Sequence, residues 1–519
     1  MTRPSPPPRK ALEHVRLVLR GLSAALQTYR LYPSGHPNRM EAVRTVLASA
    51  RDMVEASAGS GAPVLFATHH SFYLGPALLS RESISLHRLL DAFEQAQLEA
   101  VEFLPKVAEE DLDHLARILV GERPMAQDLG GLSLNRIRPR METVDEEAKE
   151  LTQLLRTYSV GLDVLRDTAD RVTAGQDADI DSTRRVVEQL AAQVAGDPAQ
   201  ALLVTAVKSY DEYTYYHMLN VCILSLALGH AVGLRPDQVA TLGLGALLHD
   251  VGKIKVPLDI LQHVGALSEE QWRLIQKHPI DGAGLILVTG RDLFDPAVSI
   301  VLEHHAGYDL SGYPGLTERR RPSLPARLVT VADCFDAVTS KRSYRQPEER
   351  RQALSILQAG AGRGFDPVVV RMFVRMLGLF PVGSLVLLDD GLVAMVVRNH
   401  DRLLARPVVR LVLDATGTPC DPEEIDLSER RTDGSFVRSV ERSMDPHEIG
   451  VDMLTLVVSG QVEPLPAEDD MAMPALVHEP SHGEVPPPGY VDTHNESGNG
   501  HPAPDHVRID PEVSAPFPN

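Results

Sequence analysis

Residues 183–378 form a long succession of apolar segments with helical spacing, such as YYHMLNVCILSLALGHAVG and PDQVATLGLGALLHD. Apolar residues that recur every three or four positions are typical of helices that pack into a core. The stretch ALSEEQWRLI also marks a helix start, because Ser268 and Gln271 have the spacing of a capping box. We therefore predict an all-helical core over 183–378.

The same apolar segments carry five histidines and two aspartates. These are His217, His249, Asp250, His278, His304, His305 and Asp333. A single buried histidine is most often a hydrogen-bonded core residue, and one His-Asp dipeptide has little meaning. Seven such groups on successive apolar helices are different, because a buried polar group is costly unless it is paired or bound to a metal. The pattern predicts a metal site inside the helical core.

The residue types favour two metal ions. On a helix His304 and His305 would point about 100° apart, which suits two different ions, and Asp250 can bridge two ions with its two oxygens. Two divalent ions about 3.5–4 Å apart are the arrangement that hydrolyses phosphate esters. Mixed imidazole and carboxylate ligands suit iron, manganese or another borderline transition metal better than calcium. The histidines near the cysteines lack the spacing of a structural zinc site.

The regions on either side of the core have different sequence patterns. Residues 10–123 mix helical and strand-like segments and predict a small α/β domain, and 124–182 indicates a charged helical connector. Valine-rich runs separated by DDG and TG turns predict a small β-rich unit over 381–460. Residues 1–9 and 463–519 are expected to be disordered, since the second stretch holds eleven acidic residues, one arginine and twelve prolines.

Composition and charge exclude several classes of protein. A net charge of −20 opposes binding to a nucleic-acid polymer, which depends on Lys and Arg. There is no run of eighteen apolar residues, so no membrane span is expected, and the N-terminus lacks the apolar segment of a secretory signal. Three widely spaced cysteines do not form a disulfide framework. These features predict a cytoplasmic, mainly α protein in which α/β and β-rich units flank the helical core.

Seven motifs of the core occur in a characteristic order. They are YTYYHMLNV, LLHDVGKIKVP, LSEEQW, KHPIDGAGLI, HHAGYDLSGYPG, ARLVTVADCFDAVTSKRSYR and GRGFDPVVV. In this order and spacing they resemble the HD-GYP domain, a bacterial phosphodiesterase family that acts on the second messenger cyclic di-GMP. The resemblance covers well under half of the chain. It implies an all-helical core with a binuclear or trinuclear metal centre, whose ligands would be the seven histidines and aspartates named above.

The resemblance also implies which residues meet the phosphates. Lys253 would face the phosphate and a bridging water, and together with Asp250 it would be catalytic. Arg342 and Arg345, in TSKRSYR, would hold the phosphates of the substrate, a role that suits the planar guanidinium group.

Two further residues have implied roles with an open alternative. Tyr313, in the Gly-Tyr-Pro loop that borders the pocket, would stack on a guanine. Asp336, three residues after Asp333 on one helix face, would orient a metal ligand or Lys253. For both residues a packing or capping role stays open beside the functional one.

Three positions depart from the family pattern. Tyr213 stands where some relatives have a glutamate that binds a third metal, so two metals are expected. Ala306 follows the histidine pair where the family has glutamate, and loss of that acid predicts slow turnover, the alternative being that alanine replaces it freely. Leu310 stands where the family has glycine. Because leucine disfavours positive φ, we expect the loop before Gly-Tyr-Pro to follow another path.

The leading hypothesis is a metal-dependent phosphodiesterase that converts cyclic di-GMP to linear pGpG, with further cleavage to GMP left open. The alternative is a catalytically weak receptor that binds the dinucleotide, or a partner protein, without efficient turnover. The filled ligand positions favour the enzyme, whereas Ala306 and Leu310 favour the receptor or a slow enzyme. The N-terminal domain is expected to be regulatory or oligomerising, through a homodimer or a signalling protein partner.

Overall fold

The computed structural model describes residues 7–59, 61–68, 71–137, 146–206, 213–261, 263, 267–289, 295–316, 320–339, 350–400, 402–446, 448–459 and 462. This part of the chain is mainly helical and contains two five-stranded antiparallel sheets, so the predicted fold class is confirmed. The predicted disorder of 463–519 lies outside the described residues, and so do Arg342 and Arg345.

The N-terminal unit combines one sheet with surrounding helices. Its elements are α1 (Arg9–Leu31), α2 (Pro37–Ala56), β1 (Val64–Thr68), β2 (Ser71–Leu74), β3 (Ala77–Leu78), α3 (Ser80–Ser85), α4 (His87–Gln95), β4 (Ala100–Phe103), α5 (Glu109–Leu119) and β5 (Leu132–Leu134). The strand order is β3-β2-β1-β4-β5, so this sheet extends beyond the expected domain boundary at residue 123. Helices and strands bury a common core that includes Leu19, Phe72, Phe93 and Phe103.

A bundle of helices follows. Its elements are α6 (Glu146–Thr173), α7 (Ile180–Gly196), α8 (Pro198–Val204), α9 (Tyr213–Ala231), α10 (Pro236–Leu248), a 3-10 helix (Val251–Lys255), α11 (Leu258–Leu261), α12 (Glu269–Ile275), α13 (His278–Leu287), α14 (Pro296–Glu303), α15 (Leu324–Thr339), α16 (Arg350–Ala359) and α17 (Pro367–Leu377). The apolar helix α9 is central, since α6, α7, α10, α15 and α17 all contact it. Among the described residues, no helix combines the length and apolarity needed to cross a bilayer.

Local sequence fixes where several core helices begin. Ser268 caps α12: its Oγ accepts from the backbone N–H of Gln271 at 3.2 Å, and its own N–H donates to Gln271 Oε1 at 2.8 Å, which confirms the capping box. Asp295 and Asp366 cap α14 and α17, and each is followed by a proline in the first helical turn. Of these three helices, α14 leads directly to the histidine pair His304 and His305.

The second sheet follows the bundle. Its strands are β6 (Leu385–Leu388), β7 (Val393–Arg398), β8 (Val408–Leu413), β9 (Glu424–Asp426) and β10 (Val440–Met444), in the order β10-β6-β7-β8-β9. After it, α18 (Met453–Ser459) returns to contact α3 and α6. Arg81 Nη2 lies 3.3 Å from Asp452 Oδ1, so an ion pair joins the end of this region to the N-terminal unit.

Candidate metal centre

The structure brings the seven predicted ligands together inside the helical bundle. They come from α9 (His217), the end of α10 (His249, Asp250), the start of α13 (His278), the end of α14 (His304, His305) and α15 (Asp333). Each is at most 4% exposed. Their ligand atoms form two groups, and within each group all atoms lie within 4.8 Å of one another: Asp250, His278, His304 and His305, and His217, His249 and Asp333.

Asp250 lies between the two groups. Its Oδ1 is 3.2 Å from His278 Nε2, whereas its Oδ2 is 3.2 Å from His249 Nε2. The same Oδ2 is 3.9 Å from His217 Nε2. The two oxygens of one carboxylate therefore face different groups, which is the placement needed to bridge two ions.

Backbone carbonyls orient three of the imidazoles. The Nδ1 atoms of His249, His278 and His304 lie 2.7–2.8 Å from the carbonyl oxygens of the residues three positions earlier in the chain. A carbonyl only accepts hydrogen bonds, so each Nδ1 carries a hydrogen, and the neutral form of each ring presents a lone pair at Nε2. These lone pairs point into the cluster.

The cluster fits a metal because it is rich in acceptors and poor in donors. The Nε2 atoms of His278 and His304 are 3.2 Å apart. Within the described part of the chain, the buried His249 Nε2, Asp250 Oδ1 and Asp333 Oδ2 have no hydrogen-bond partner. Converging lone pairs and carboxylates repel one another unless a cation lies among them. Nitrogen and oxygen donors of this kind suit iron or manganese.

Burial and neighbouring charges shift the pKa values of Asp250, His304 and His305 toward the protonation states that bind metals. Burial, with help from the nearby His249 and His278, lowers the pKa of His304 to about 3, and burial lowers that of His305 well below its usual value. Burial alone would raise the pKa of Asp250, but His249 and Lys253 hold it well below its usual range. The histidine pair is therefore neutral and the carboxylate ionised near neutral pH.

Lys253 lies beside the shared carboxylate. It belongs to the 3-10 helix after Asp250, is 4% exposed, and donates from Nζ to Asp250 Oδ2 at 2.8 Å. A small cavity next to it is lined by Thr214 and Met218 of α9 and by residues of α6. The predicted catalytic lysine is thus placed against the candidate metal centre.

Asp336 contacts a predicted ligand directly. Its Oδ2 accepts from His217 Nδ1 at 2.8 Å, and its Oδ1 accepts from Asn220 Nδ2 at 3.1 Å. Asn220 was missed by the sequence reasoning, although a polar residue three positions after His217 in an apolar helix is a usable signal. Tyr158 of α6 was also missed, and its hydroxyl donates to Asn220 Oδ1 at 2.9 Å.

The histidine pair differs from its expected geometry. α14 ends at Glu303, so His304 is the C-cap and His305 lies outside the helix. The two rings are close, with centroids 4.1 Å apart, and both belong to the same ligand group. The expectation that both histidines lie on a helix, about 100° apart, is wrong, because α14 ends before the pair. Which ion each histidine would bind stays a prediction. Ala306 is 4% exposed, and its backbone pairs with Gly312.

The loop before Gly-Tyr-Pro keeps a conformation that favours glycine. Leu310 has φ 74°, so leucine here adopts the positive φ that it was expected to disfavour. A loop path different from that of the family stays a prediction. The loop's backbone is held on both sides: Tyr308 and Asp309 donate to the carbonyls of Gly364 and Arg363, and Leu310 donates to Gly307 at 3.0 Å. These hydrogen bonds fix the turn whatever side chain it carries.

Tyr313 is packed against the candidate metal centre. Its ring is 9% exposed, with its centroid 4.7 Å from that of His305 and 5.8 Å from that of Trp272. Stacking on a guanine stays a prediction, beside the packing role left open for this residue. Tyr213 is the first residue of α9. Arg342 and Arg345 lie outside the described residues, so their predicted phosphate contacts also stay predictions.

The helical bundle matches the HD domain family over residues 198–369, and residues 385–440 match the KOW domain associated with HD domain. The chain is 33% identical over 288 residues to a cyclic di-GMP phosphodiesterase of Pseudomonas aeruginosa. The aligned residues cover 55% of this chain and 68% of that protein. It is 33% identical over 173 residues to the 3′3′-cGAMP-specific phosphodiesterase 2 of Vibrio cholerae, covering 33% of each chain.

A third relative is the cyclic di-GMP phosphodiesterase response regulator RpfG of Xanthomonas campestris. The identity is 34% over 174 residues, covering 33% of this chain and 46% of that protein. The chain thus spans less than half of the Vibrio and Xanthomonas relatives, but about two thirds of the Pseudomonas protein.

Proposed function

The chain belongs to the HD-GYP family, and on that premise we propose that it is a metal-dependent phosphodiesterase that hydrolyses cyclic di-GMP to linear pGpG. The Pseudomonas relative, a cyclic di-GMP phosphodiesterase, supports the substrate because the match covers 68% of its length. Further cleavage of pGpG to GMP is part of the same proposal, since it repeats the attack on a phosphodiester.

The observation that carries this proposal is the position of Asp250 between two groups of buried acceptors. One oxygen faces His278 and the other faces His249, each at 3.2 Å. This sharing supports two divalent ions, and the imidazole and carboxylate donors support iron or manganese. Bound there, such ions would lower the pKa of water and stabilise charge on the phosphoryl oxygens.

The chain's own residues would prepare the site for an in-line attack on phosphorus. Asp250 would hold the two halves of the centre together and is itself fixed by Lys253, whose Nζ lies 2.8 Å from its Oδ2. The Lys253 ammonium would also donate to the phosphoryl oxygen on which negative charge grows. Burial of the ligand side chains excludes bulk water, which strengthens each of these interactions.

Substrate contacts complete the proposal. Arg342 and Arg345 would bind the phosphates through guanidinium groups, and Tyr313 would meet a guanine base. The ring of Tyr313 packs on His305, so stacking of a base would need the ring edge or a shift of the loop.

A second candidate function is a receptor that binds the dinucleotide with little turnover. Ala306 favours it, because the acid that follows the histidine pair in the family is absent. His305 Nδ1 is buried and has no hydrogen-bond partner among the described residues, so this ligand lacks the support that the other imidazoles have. Leu310 no longer favours the receptor, since the loop keeps the glycine conformation.

The test uses the purified full chain loaded with Mn(II) or Fe(II). It is incubated with cyclic di-GMP, 3′3′-cGAMP or pGpG, and the products are separated by ion-exchange chromatography. The matched control is Asp250→Asn, which keeps the shape of the side chain but removes its charge. Faster loss of cyclic di-GMP than of 3′3′-cGAMP, absent in the control, supports the proposal. Tight binding without products supports the receptor, and faster loss of 3′3′-cGAMP would change the substrate.

A further inference from the structure

A chain of hydrogen bonds runs from α6 to the candidate metal centre. Tyr158 Oη donates to Asn220 Oδ1 at 2.9 Å, and Asn220 Nδ2 donates to Asp336 Oδ1 at 3.1 Å. The other oxygen of Asp336 accepts from His217 Nδ1 at 2.8 Å. Three helices, α6, α9 and α15, are thus joined through polar groups next to one predicted metal ligand.

Chemistry fixes the direction of each hydrogen bond. An ionised carboxylate only accepts, so the amide nitrogen of Asn220 must face Asp336. The amide oxygen of Asn220 then faces Tyr158, whose hydroxyl must donate. A donor on the amide oxygen polarises the amide and strengthens the hydrogen bond from its nitrogen to Asp336. The hydrogen bond from Asn220 helps to fix the orientation of the Asp336 carboxylate. The carboxylate in turn fixes the orientation of the His217 imidazole, which donates to it.

Burial makes this network rigid. Tyr158 and Asn220 are each 1% exposed, and Asp336 and His217 are each 2% exposed. No bulk water reaches the network to replace a lost partner, so rotation of the His217 ring would leave a buried carboxylate oxygen without its donor. In the present orientation, His217 Nε2 points at Asp333 Oδ1, 3.2 Å away.

α6 is anchored at other positions as well. Arg156 Nη2 lies 3.0 Å from Asp91 Oδ1, and Asp163 Oδ2 lies 2.7 Å from His87 Nε2, so α6 is tied to α4 of the N-terminal unit. Further along the helix, Leu165 lines the small cavity beside Lys253. The helix expected to be a connector therefore contacts both the N-terminal unit and the metal centre.

We propose that Tyr158 and Asn220 are positioning residues of the metal centre: through Asp336 they fix the orientation of the His217 imidazole. This inference rests on the metal centre of the proposed function and does not depend on its substrate. It makes α6 part of the catalytic unit. Through its contacts, α6 connects the N-terminal unit to the predicted metal ligand His217.

The experiment is a titration of the metal-depleted full chain with Mn(II), in which free Mn(II) is measured from its electron paramagnetic resonance signal. Loss of a partner that orients a ligand reduces metal affinity by about 10- to 100-fold. Asn220→Ala is expected to weaken one of the bound Mn(II) equivalents by about tenfold. Tyr158→Phe, which removes only the hydroxyl, is expected to weaken the same equivalent by about fivefold, the effect of one hydrogen bond.

The matched control is Tyr29→Phe. Tyr29 is a buried tyrosine of the N-terminal unit whose hydroxyl donates to Asp113 Oδ1 at 2.6 Å, so the variant also loses a buried hydrogen bond. It should leave Mn(II) affinity unchanged. Turnover by Tyr158→Phe should recover at high Mn(II) concentration, which a general loss of folded protein would not produce.

A double variant decides whether Tyr158 acts through Asn220. Tyr158→Phe with Asn220→Ala should bind Mn(II) like Asn220→Ala alone, because without the amide the hydroxyl keeps only the Tyr216 carbonyl, 3.3 Å away, and no longer acts on Asp336. Additive effects, or Mn(II) affinity in Tyr158→Phe equal to that of the wild type, would overturn the proposal. If Asn220→Ala does not fold, Tyr158→Phe still gives the answer.

The wild type separates this inference from the proposed function. A wild type that binds Mn(II) but hydrolyses no cyclic dinucleotide would refute the proposed function and leave this test intact. A wild type that binds neither Mn(II) nor Fe(II) would refute both.

Discussion

The Nε2 atoms of His278 and His304 lie 3.2 Å apart, and both rings donate from Nδ1 to a backbone carbonyl. Two lone pairs at this separation repel each other unless a positive charge lies nearby. Asp250 Oδ1, at 3.2 Å from the first atom and 3.8 Å from the second, adds another acceptor. The metal-free fold therefore carries an electrostatic cost that a cation would relieve.

Metal removal is expected to destabilise the protein. A ligand present at about 100 times its Kd stabilises the folded state by about 2.7 kcal/mol, and here a cation would be attracted by the converging carboxylates and imidazole lone pairs. Calorimetric unfolding of the full chain should show a lower Tm after treatment with EDTA and recovery when Mn(II) is added back. A Tm that EDTA does not change would contradict the presence of a metal centre.

Asp250 and Asp333 should differ in their effect on metal content. Asp250 faces both ligand groups, whereas Asp333 belongs to one of them. Asp250→Asn is therefore expected to lose most of both ions, and Asp333→Asn to lose about one, as measured by elemental analysis. The double variant His249→Ala, Asp250→Ala should bind none, and full metal content in that protein would show that the ligands lie elsewhere.

The sequence pointed to the clustered residues because each stands on or next to an apolar helical segment, where a charge or an imidazole is conspicuous. It did not predict the direction of the histidine pair, since the end of α14 at Glu303 depends on how the following loop folds back onto Gly364 and Arg363. Tyr158 could not be found at all. It is 62 residues from Asn220 in the chain, and only the packing of α6 against α9 brings the two together.

Leu310 offers a test of the loop. A residue other than glycine in the left-handed region costs about 1–2 kcal/mol, and Leu310 is exposed, so little packing is lost with its side chain. Leu310→Gly should raise the free energy of unfolding by about 1 kcal/mol after the greater flexibility of glycine in the unfolded chain is counted. Leu310→Ala is the matched control and should not stabilise, because alanine meets the same restriction. Denaturant unfolding measures both.

Arg342 is predicted to hold a substrate phosphate. A charge-assisted hydrogen bond contributes about 1.5–3 kcal/mol, so Arg342→Ala should bind cyclic di-GMP roughly tenfold more weakly. Its metal content should equal that of the wild type. Stopped-flow binding of a fluorescent cyclic di-GMP analogue measures the affinity, with Arg273→Ala on the exposed face of α12 as the control. Unchanged affinity in Arg342→Ala would remove this residue from the site.

Ala306 is the position where the chain is expected to have lost activity. Four of the clustered imidazoles donate from Nδ1 to an acceptor, but His305 Nδ1 is buried with no hydrogen-bond partner in the described part of the chain. A carboxylate at the next position would supply an acceptor close to this ring or to the metal centre. Such partners change activity by about 10- to 100-fold, so Ala306→Glu is expected to raise kcat by about tenfold while metal stoichiometry stays at two.

Two further variants separate charge from bulk at this position. Ala306→Gln adds an acceptor without the charge and should recover part of the gain, whereas Ala306→Leu adds only volume at a site that is 4% exposed and should not raise kcat. Calorimetric unfolding of each variant shows whether the larger side chain fits. If Ala306→Glu folds and binds two ions without faster turnover, then the family glutamate has no catalytic role here and alanine replaces it freely. The high helix propensity of alanine would not explain why it can replace the glutamate, because Ala306 lies beyond the end of α14.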